Sequence, residues 1–537
     1  MLQPLQVLRL YPPHAGTLGS LLASRVAVAP QRECLVFEDT TLDYAEVQAR
    51  VGRAKAMFAR RGVRPGDRIG VMSTNHPSTV IALLALAGLG AVMVPVNPEY
   101  RAAEAAYVLD DARVSGVICS PETLATVREA LPDSAPWILL NRAMADERLP
   151  VFDEELAASG DAPPADAGAP DEPCVFIYTS GTTGFPKGVM HGQRTLVLAG
   201  EGFVQRMYLQ PDDRLLCILP MFHINALFYS LAGALAAGAT LILVPRFSAS
   251  SFWHEVARTR ATEANTIAAV TNILLRRPRS EFVPGHALRK IYGAPFSAET
   301  YAVFDREFGV PTLIEGYGMS EIPGVLNNPF EGPHRVGSMG RPSVHPDPDV
   351  ALAQLRIVDD DGHELPNGET GELAVKTPLV MQGYYRDPEQ TAAAFRDGWF
   401  LTGDLARRDD DGYYWFVARK KDIIRKRGEN ISGAELDRVI ESHPEVMQAA
   451  AIAVPDPLGE DEILAAITLR PGVTLDARGV AAWCRERLAA IKVPRYVAFV
   501  DALPQTPTHR VAKYRLRADG AALIARATDL AATRGAG

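Results

Sequence analysis

The sequence predicts an α/β fold with at least two domains, and three observations support this prediction. The chain has 537 residues, which is too long for a single hydrophobic core. Helical and strand patterns alternate along the first 150 residues, as is typical of helices layered on a parallel sheet. From about residue 337, short strands broken by Gly, Asp and Asn indicate a small β subdomain, and a smaller α+β unit follows Lys421.

The N-terminal elements follow from hydrophobic periodicity. The pattern predicts an amphipathic helix from Leu42 to about Arg61 and a short buried strand over Asp67–Met72. A second helix is predicted over Pro77–Gly88 and a second strand over Ala91–Val96. Residues 159–173 have few large apolar side chains, so we expect a surface linker there.

The C-terminal third divides into two predicted regions, with a boundary between residues 420 and 421. The predicted domains are therefore 1–420 and 421–537. The small β subdomain contains the predicted strands Leu355–Val358, Gly371–Val375 and Tyr413–Val417. The C-terminal domain contains predicted helices over Ala434–Ser442 and Val480–Leu488 and predicted strands over Ala449–Val454 and Ile463–Leu469.

Composition excludes several classes of function. The net charge of −9 argues against nonspecific binding to nucleic acid, which needs a basic excess. The five cysteines lie far apart, so a metal cluster or a disulfide framework is not expected. The N-terminal residues lack the pattern of a secretory signal, and the apolar stretch Val80–Val94 is short for a membrane span. We therefore expect a cytoplasmic protein, and leave open whether it is a monomer or a homodimer.

A Gly/Ser/Thr-rich segment, Thr179–Gly188, follows the apolar run Cys174–Ile177. Glycines allow a close backbone approach, hydroxyls add donors, and Lys187 adds a positive charge, so the segment suits a polyphosphate. Its spacing is not that of a Walker A loop. The alternative is a flexible surface loop, which the ordered pattern directly after a strand disfavours. The candidate phosphate-binding residues are Thr179, Ser180, Gly181, Thr182, Thr183, Gly184 and Lys187.

A second segment, Tyr317–Glu321, combines an aromatic ring, a glycine, a hydroxyl and a carboxylate within five residues. Glu321 suits Mg²⁺, which takes a few hard oxygen ligands. Asp404 follows Gly403 in a predicted loop and could accept protons from ribose hydroxyls. A solvated acid in a turn is the simpler alternative for either carboxylate.

Taken in order, these motifs resemble those of the adenylate-forming superfamily, which contains acyl-CoA synthetases, firefly luciferases and nonribosomal peptide adenylation domains. The resemblance extends from about Leu42 to Arg517. It implies a large N-terminal α/β domain with layered sheets and a mobile C-terminal domain. It also implies ATP-dependent conversion of a carboxylic acid to an acyl-adenylate with release of pyrophosphate. Transfer of the acyl group to CoA would then release AMP, with ATP, Mg²⁺ and CoA as cofactors or co-substrates. The segments around Met221–Trp253 and Ala294–Glu321 most resemble the crotonobetaine/carnitine-CoA ligase branch and the medium-chain or cyclic acyl-CoA ligases.

The same resemblance implies roles for individual residues. For nucleotide binding it adds Gly293, Ala294, Pro295, Tyr317, Gly318, Ser320, Asp404 and Arg419 to the phosphate loop. For the acyl pocket it implies His223, Asn225, Ala226 and Met319. For CoA binding and the hinge it implies Lys421, Gly428, Glu429 and Asn430. For the metal it implies Glu321 and Thr179.

One position departs from the family pattern. Where members usually read Thr-Gly-Lys-x-x-Lys, this chain reads Thr508-His509-Arg510-Val511-Ala512-Lys513. Arginine keeps the charge of the usual catalytic lysine but is longer, planar and forked. Three readings stay open: Arg510 acts with altered geometry, Lys513 takes over, or adenylation is slow. We favour the first.

Rival functions share most of these motifs. A stand-alone adenylating enzyme would load a carrier-protein thiol, and a luciferase-type oxygenase would need a luciferin. A nucleotide-binding regulator with weak catalysis would be consistent with Arg510. The sequence favours the acyl-CoA synthetase.

Overall fold

The computed structural model describes residues 1–131, 137–145, 147–160, 163–179, 186–426, 429–455, 461–505 and 511–531. The chain forms two compact units. Unit 1 contains residues 1–355 and 375–400, and unit 2 contains residues 356–374 and 401–537. The predicted domain boundary between residues 420 and 421 stays a prediction.

The α-helices of the two units have the following bounds. Unit 1 contains α1 (Pro4–Leu8), α2 (Leu18–Val26), α3 (Tyr44–Arg60), α4 (Pro77–Gly88), α5 (Ala102–Asp111), α6 (Leu124–Ala130), α7 (Phe152–Ala157), α8 (Gln193–Met207), α9 (Ala232–Ala237), α10 (Phe252–Thr259), α11 (Ala268–Arg276), α12 (Ala298–Arg306) and α13 (Pro388–Ala393). Unit 2 contains α14 (Gly433–Glu441), α15 (Ala477–Arg487), α16 (Lys513–Ala518) and α17 (Gly520–Arg526).

The strands follow in chain order. They are β1 (Glu33–Phe37), β2 (Thr40–Asp43), β3 (Arg68–Met72), β4 (Val92–Val96), β5 (Gly116–Cys119), β6 (Trp137–Leu140), β7 (Pro173–Thr179), β8 (Lys187–Gly192), β9 (Arg214–Cys217), β10 (Thr240–Leu243), β11 (Glu263–Asn265), β12 (Lys290–Gly293), β13 (Thr312–Met319), β14 (Ile322–Asn327), β15 (Arg341–Pro342), β16 (Gln354–Val358), β17 (Thr370–Lys376), β18 (Gly383–Tyr384), β19 (Phe395–Arg396), β20 (Trp399–Arg408), β21 (Tyr414–Arg419), β22 (Ile423–Lys426), β23 (Glu429–Ser432), β24 (Val446–Pro455), β25 (Asp461–Leu469), β26 (Tyr496–Phe499) and β27 (Thr528–Asp529).

Two layered sheets form the frame of unit 1. One has the order β15-β14-β13-β12-β11-β9-β10-β1-β2, and the other has the order β18-β8-β7-β4-β3-β5-β6. Their central strands are parallel, as the alternating pattern predicts. One edge of each sheet, β13–β15 in the first and β7–β8–β18 in the second, is antiparallel, because the hairpins β13–β14 and β7–β8 each return the chain directly. The β6 edge of the second sheet is parallel. The candidate site lies on these two hairpins.

The predicted N-terminal elements are confirmed with small shifts. The first helix begins at Tyr44 rather than Leu42, because Thr40–Asp43 pairs as a strand and the Asp43 carboxylate caps the helix by accepting the Glu46 N–H at 2.7 Å. The second helix has the predicted bounds, and its almost wholly apolar surface is buried on all sides.

The predicted surface linker is only partly confirmed. Residues 163–172 are irregular and mostly exposed. However, the Asp166 carboxylate pairs with Lys55 at 2.5 Å, and the Gly168 N–H donates to the Gly88 carbonyl. A Cβ atom at Gly168 would lie 2.0 Å from the Ala87 carbonyl oxygen, so the segment packs closely on the helix below it.

Unit 2 contains a sheet of order β24-β25-β26-β27 and the hairpin β22–β23. A five-stranded sheet has the order β16-β17-β20-β19, with β21 paired to β20. The strands and helices predicted after residue 350 are all present, with boundaries shifted by up to three residues. Ser432 caps α14 by accepting the Glu435 N–H at 3.2 Å. Among the described residues, no helix is both long enough and apolar enough to cross a membrane.

Candidate active site

The predicted phosphate loop connects β7 to β8. Thr179 ends one strand and is paired in register with Lys187, which begins the next. The other predicted loop residues, Ser180, Gly181, Thr182, Thr183 and Gly184, lie outside the described residues. A Cβ atom at Gly188 would lie 3.1 Å from the Tyr178 ring, so a side chain there would press against this ring. The hairpin therefore fixes Lys187 at the mouth of the loop.

Lys187 and Glu321 both contact the side chain of Tyr384 in unit 1. The Lys187 ammonium lies 5.1 Å from the centre of the Tyr384 ring and donates a hydrogen bond to the side-chain oxygen of Gln390. The Tyr384 hydroxyl donates to Glu321 Oε1 at 2.9 Å. Burial and the neighbouring Glu321 carboxylate raise the Tyr384 pKa well above its ordinary value, so the hydroxyl stays protonated as a donor. A cation and a carboxylate predicted from separate motifs are thus placed around one ring.

Backbone contacts hold Glu321 at the tip of the β13–β14 hairpin. The Met381 N–H donates to the Glu321 carbonyl at 2.7 Å, just before β18, which pairs with β8. His191 Nε2 lies 2.6 Å from the Ser320 carbonyl oxygen. Burial lowers the His191 pKa to about 4, so the ring is neutral at pH 7 and donates through Nε2. Sequence reasoning did not identify Tyr384, Gln390 or His191, because their roles depend on pairings between distant segments.

The three candidates from the Pro220–Ala226 segment for the acyl pocket lie at or beside a π-helical turn, Asn225–Leu231. Such turns occur often at functional sites. The His223 ring is half-buried and packs against Phe222 at 4.1 Å between ring centres. Ala226 is fully buried, and Asn225 Oδ1 is a buried acceptor with no hydrogen-bond donor among the described residues. This turn therefore presents an apolar surface with one unsatisfied polar atom.

The Gly293-Ala294-Pro295 turn leaves β12 beside β13. A Cβ atom at Gly293 would lie 2.7 Å from Thr266 Oγ1, so no side chain fits there. Glu315 on β13 accepts the Phe296 N–H at 2.8 Å and the Tyr301 hydroxyl at 2.9 Å. Burial raises the Glu315 pKa above its ordinary value. Sequence reasoning missed Glu315, although a carboxylate inside the apolar run before Gly316 was a usable signal.

Three further predicted residues, Tyr317, Gly318 and Met319, follow Gly316 on β13 and are half-buried. A Cβ atom at Gly318 would lie 2.4 Å from the Gly324 nitrogen on β14. The hairpin can close this tightly only because both positions are glycine.

The nucleotide-binding pair predicted in unit 2 is an ion pair on neighbouring strands. The prediction that Asp404 lies in a loop is wrong, because Asp404 lies within β20 and is paired with Arg419 on β21. Arg419 Nε lies 2.8 Å from Asp404 Oδ1. The Asp404 side chain is 1% exposed. Nearby, Glu372 accepts the Gly403 N–H at 2.9 Å and pairs with Lys420 at 3.0 Å. Glu372 was also missed from the sequence, where it reads as an ordinary strand residue.

Lys513 begins α16 and is engaged within unit 2. Its ammonium lies 2.5 Å from Asp437 Oδ2 and donates to the Ala451 carbonyl at 3.0 Å. Arg510 and Gly428 lie outside the described residues. Lys421 lies in a short helical turn before β22, and Glu429 and Asn430 lie in β23.

Comparison with known families and structures is consistent with this geometry. The AMP-binding enzyme family matches residues 22–385, and the AMP-binding enzyme C-terminal domain matches residues 435–510. The chain is similar to a sulfoacetate–CoA ligase of Cupriavidus necator, with 34% identity over 93% of this chain and 97% of that protein. It is 30% identical to a crotonobetaine/carnitine–CoA ligase of Salmonella choleraesuis, over 90% of this chain and 96% of that protein.

A solved structure shows the same architecture. The anthranilate CoA ligase AuaEII, in complex with anthranoyl-AMP, has 25% identity and a TM-score of 0.84, and the match covers 95% of this chain and 99% of that one. The α/β fold class predicted from the sequence is therefore confirmed.

Proposed function

This chain belongs to the AMP-binding enzyme family and is an adenylate-forming acid–CoA ligase, and from that premise we propose how its residues divide the reaction. The segments around Lys187 and Glu321 would bind the phosphates of ATP, and the π-helical turn would bind the acid. Asp404 and Arg419 would bind the ribose. The predicted boundary at residue 421 is proposed as the hinge.

The observation that best supports the roles of Lys187 and Glu321 is their arrangement around Tyr384. The chemical difficulty is that an anionic carboxylate must approach an anionic α-phosphate. Lys187 would offset part of this repulsion and stabilise charge on the departing pyrophosphate. No side-chain nucleophile is needed, because attack by the acid is assisted by positioning and electrostatics.

The donor set of the site fits Mg²⁺. Glu321 offers hard carboxylate oxygens, of which the tyrosine hydroxyl occupies only one, and Thr179 offers a hydroxyl at the end of β7. A bound Mg²⁺ would neutralise phosphate charge. Ser320 would contact the α-phosphate, and Tyr317 would pack on the adenine ring.

We also propose that Arg510 assists adenylate formation. This proposal is supported by the engagement of Lys513 with Asp437 and Ala451, because an ammonium held by a mostly buried carboxylate is a poor substitute for a free cation. The residues around Lys421, Gly428, Glu429 and Asn430 would admit the pantetheine arm of CoA.

A cytoplasmic location is proposed because all five cysteines are buried free thiols and both co-substrates are intracellular metabolites. Whether the protein forms a homodimer is a prediction that a measurement of its mass in solution would decide.

The test is a screen of short, branched, cyclic and aromatic acids with purified enzyme, ATP and Mg²⁺. Acid-dependent pyrophosphate release with CoA-dependent appearance of thioester and AMP is the expected result. Discharge of acyl-AMP onto a carrier protein but not onto CoA would favour the carrier-loading alternative. ATP binding without pyrophosphate release for every acid would contradict the proposal.

A further inference from the structure

Arg206, near the end of α8, is a buried cation that the reaction as described does not use. The residue is 3% exposed. Among the residues that the structure describes, no carboxylate lies within salt-bridge distance of its guanidinium. Burying a charge is costly unless it is paired, so an unpaired buried arginine needs an explanation.

The groups around the guanidinium are all neutral. The Gly324 carbonyl accepts one short hydrogen bond, at 2.6 Å. Three other acceptors are farther away, at 3.3 to 3.5 Å: Asn327 Oδ1, Ser343 Oγ and the Tyr292 hydroxyl. The rings of Phe203, Tyr229 and Tyr292 surround it at 5.2 to 5.7 Å and offset part of its charge. These contacts hold the guanidinium in place but leave its positive charge without a counter-ion.

The position of Arg206 matters because it contacts both segments assigned to the acyl pocket, the π-helical turn and the β13–β14 hairpin, and also Tyr292 beside the Gly293-Ala294-Pro295 turn. Tyr229 lies on the π-helical turn, four residues after Asn225. Tyr292 precedes Gly293, and its hydroxyl lies 2.3 Å from where a Cβ atom of Gly316 would be. Gly324 lies against Gly318, and a Cβ atom at Gly324 would lie 2.5 Å from Arg206 Nη2. Glycine at these positions lets the backbone of the β13–β14 hairpin approach the guanidinium and the Tyr292 hydroxyl closely.

We propose that Arg206 is a specificity-determining residue that favours acids carrying a second anionic group, such as a carboxylate or a sulfonate, at the end remote from the reacting carboxylate. The second anion would supply the counter-ion that Arg206 lacks. The fork of the guanidinium matches the oxygens of either group. This inference rests on the proposed function, because it assumes that the three segments enclose the acyl chain.

The experiment compares matched pairs of acids. Each pair contains an acid of two to five carbons with a terminal carboxylate or sulfonate and its methyl-terminated analogue. We expect the wild-type kcat/KM for CoA thioester formation to be at least about tenfold higher for the anionic member. Arg206→Gln should remove this preference through a higher KM for the anionic acid, with little change for the methyl analogue. Arg206→Lys should retain part of the preference, because it keeps the charge but not the fork.

The control variant is Arg194→Gln on the same helix, where the arginine is exposed and pairs with Asp171. It should leave unchanged the ratio of kcat/KM for the anionic acid to kcat/KM for its methyl-terminated analogue. Thermal melting and ATP binding would show whether each variant is folded.

A wild-type enzyme that activates methyl-terminated acids equally well would overturn the inference while leaving the proposed function intact. Equal losses for both acids in Arg206→Gln would also overturn it, by assigning Arg206 a purely structural role. No CoA-dependent AMP formation from any acid would instead contradict the proposed function.

Discussion

The charged candidates of the two units have different partners. In unit 1, Lys187 contacts an amide and a phenol ring, and Glu321 accepts one phenolic hydrogen bond. Among the described residues neither has an ion-pair partner. In unit 2, Asp404 pairs with Arg419, and Lys513 pairs with Asp437.

This difference indicates how each unit would meet a ligand. Neutral neighbours position the unit 1 charges without neutralising them, so the Lys187 charge is available to a phosphate group and the Glu321 charge to a Mg²⁺ ion. Asp404, Arg419 and Lys513 of unit 2 already have ion-pair partners, so a ligand would share or replace existing contacts. Charge-removing substitutions should therefore impair catalysis most in unit 1.

The largest effect is expected for Lys187→Ala. Loss of an unpaired cation beside the phosphate loop should lower kcat/KM for acid-dependent pyrophosphate release by about 10²- to 10³-fold. The fold should persist, because no buried ion pair is broken. Lys376→Ala, an exposed lysine of the same unit, is the matched control and should keep wild-type activity. A Lys187→Ala enzyme with near-normal activity would refute the inference that removing a charge from unit 1 impairs catalysis most.

A smaller effect is expected for Asp404→Ala. Loss of one charge-assisted contact to the ribose should raise the KM for ATP by about 10- to 100-fold. Acyl transfer from preformed acyl-AMP to CoA at saturating adenylate should change little, since binding rather than chemistry is weakened. Steady-state kinetics measures both, with Asp410→Ala, an exposed carboxylate of the same unit, as control. An unchanged KM would remove Asp404 from the nucleotide site.

Lys513→Ala should affect stability more than catalysis. The substitution leaves Asp437 mostly buried without its cation, which should cost about 3 kcal/mol of unfolding free energy. Adenylate formation by the folded enzyme should stay within about threefold of wild type if Arg510 is the assisting cation. Denaturant unfolding and pyrophosphate release separate the two effects, with the exposed Arg515→Ala on the same helix as control. A selective loss of adenylation would show that Lys513 has taken over.

The sequence predicted the chemical groups of each motif. It did not predict which residues join one motif to another in the folded chain. The alternation that predicts α4 and β4, and the glycines that flank Lys187, are local features and could be predicted from neighbouring residues. Tyr384 could not be assigned in this way. It lies 197 residues after Lys187 and 63 residues after Glu321, and it joins them only because β18 pairs with β8.

Buried charges without local partners were also beyond sequence reasoning. Arg206 lies in a helix whose pattern resembles any amphipathic helix, and its neighbours come from four separate segments. Glu315 was visible as a carboxylate in an apolar run, but its acceptor role for Phe296 and Tyr301 depends on the β12–β13 pairing. The register in which two strands pair decides which side chains come into contact. This register is a property of the assembled sheet, not of either strand alone.

The smallest effect on catalysis is expected for a substitution of Glu201. This residue lies in unit 1, but its carboxylate already has hydrogen-bond partners. The substitution therefore tests whether the pairing of a charge, rather than its location in unit 1, decides how much activity is lost. Glu201 on α8 of unit 1 accepts hydrogen bonds from His14 and His345, each at 3.1 Å. Each ring accepts a backbone N–H at Nδ1, so each presents a protonated Nε2 to the carboxylate. Burial alone would raise the Glu201 pKa, but the two histidines lower it to about 2.

Because the folded-state pKa is depressed, this carboxylate stabilises the fold fully above its ordinary pKa of about 4.5, and the contribution is lost as pH falls towards 2. Glu201→Gln should therefore reduce the unfolding free energy by about 2–3 kcal/mol at pH 6, and the deficit should shrink between pH 4.5 and pH 3. Denaturant unfolding across this range measures the deficit, while kcat at pH 7 should stay within about twofold of wild type. A deficit independent of pH would mean that the histidines do not set the Glu201 pKa. A large loss of kcat in a folded variant would mean that a paired charge of unit 1 acts in catalysis, and the contrast between paired and unpaired charges would fail.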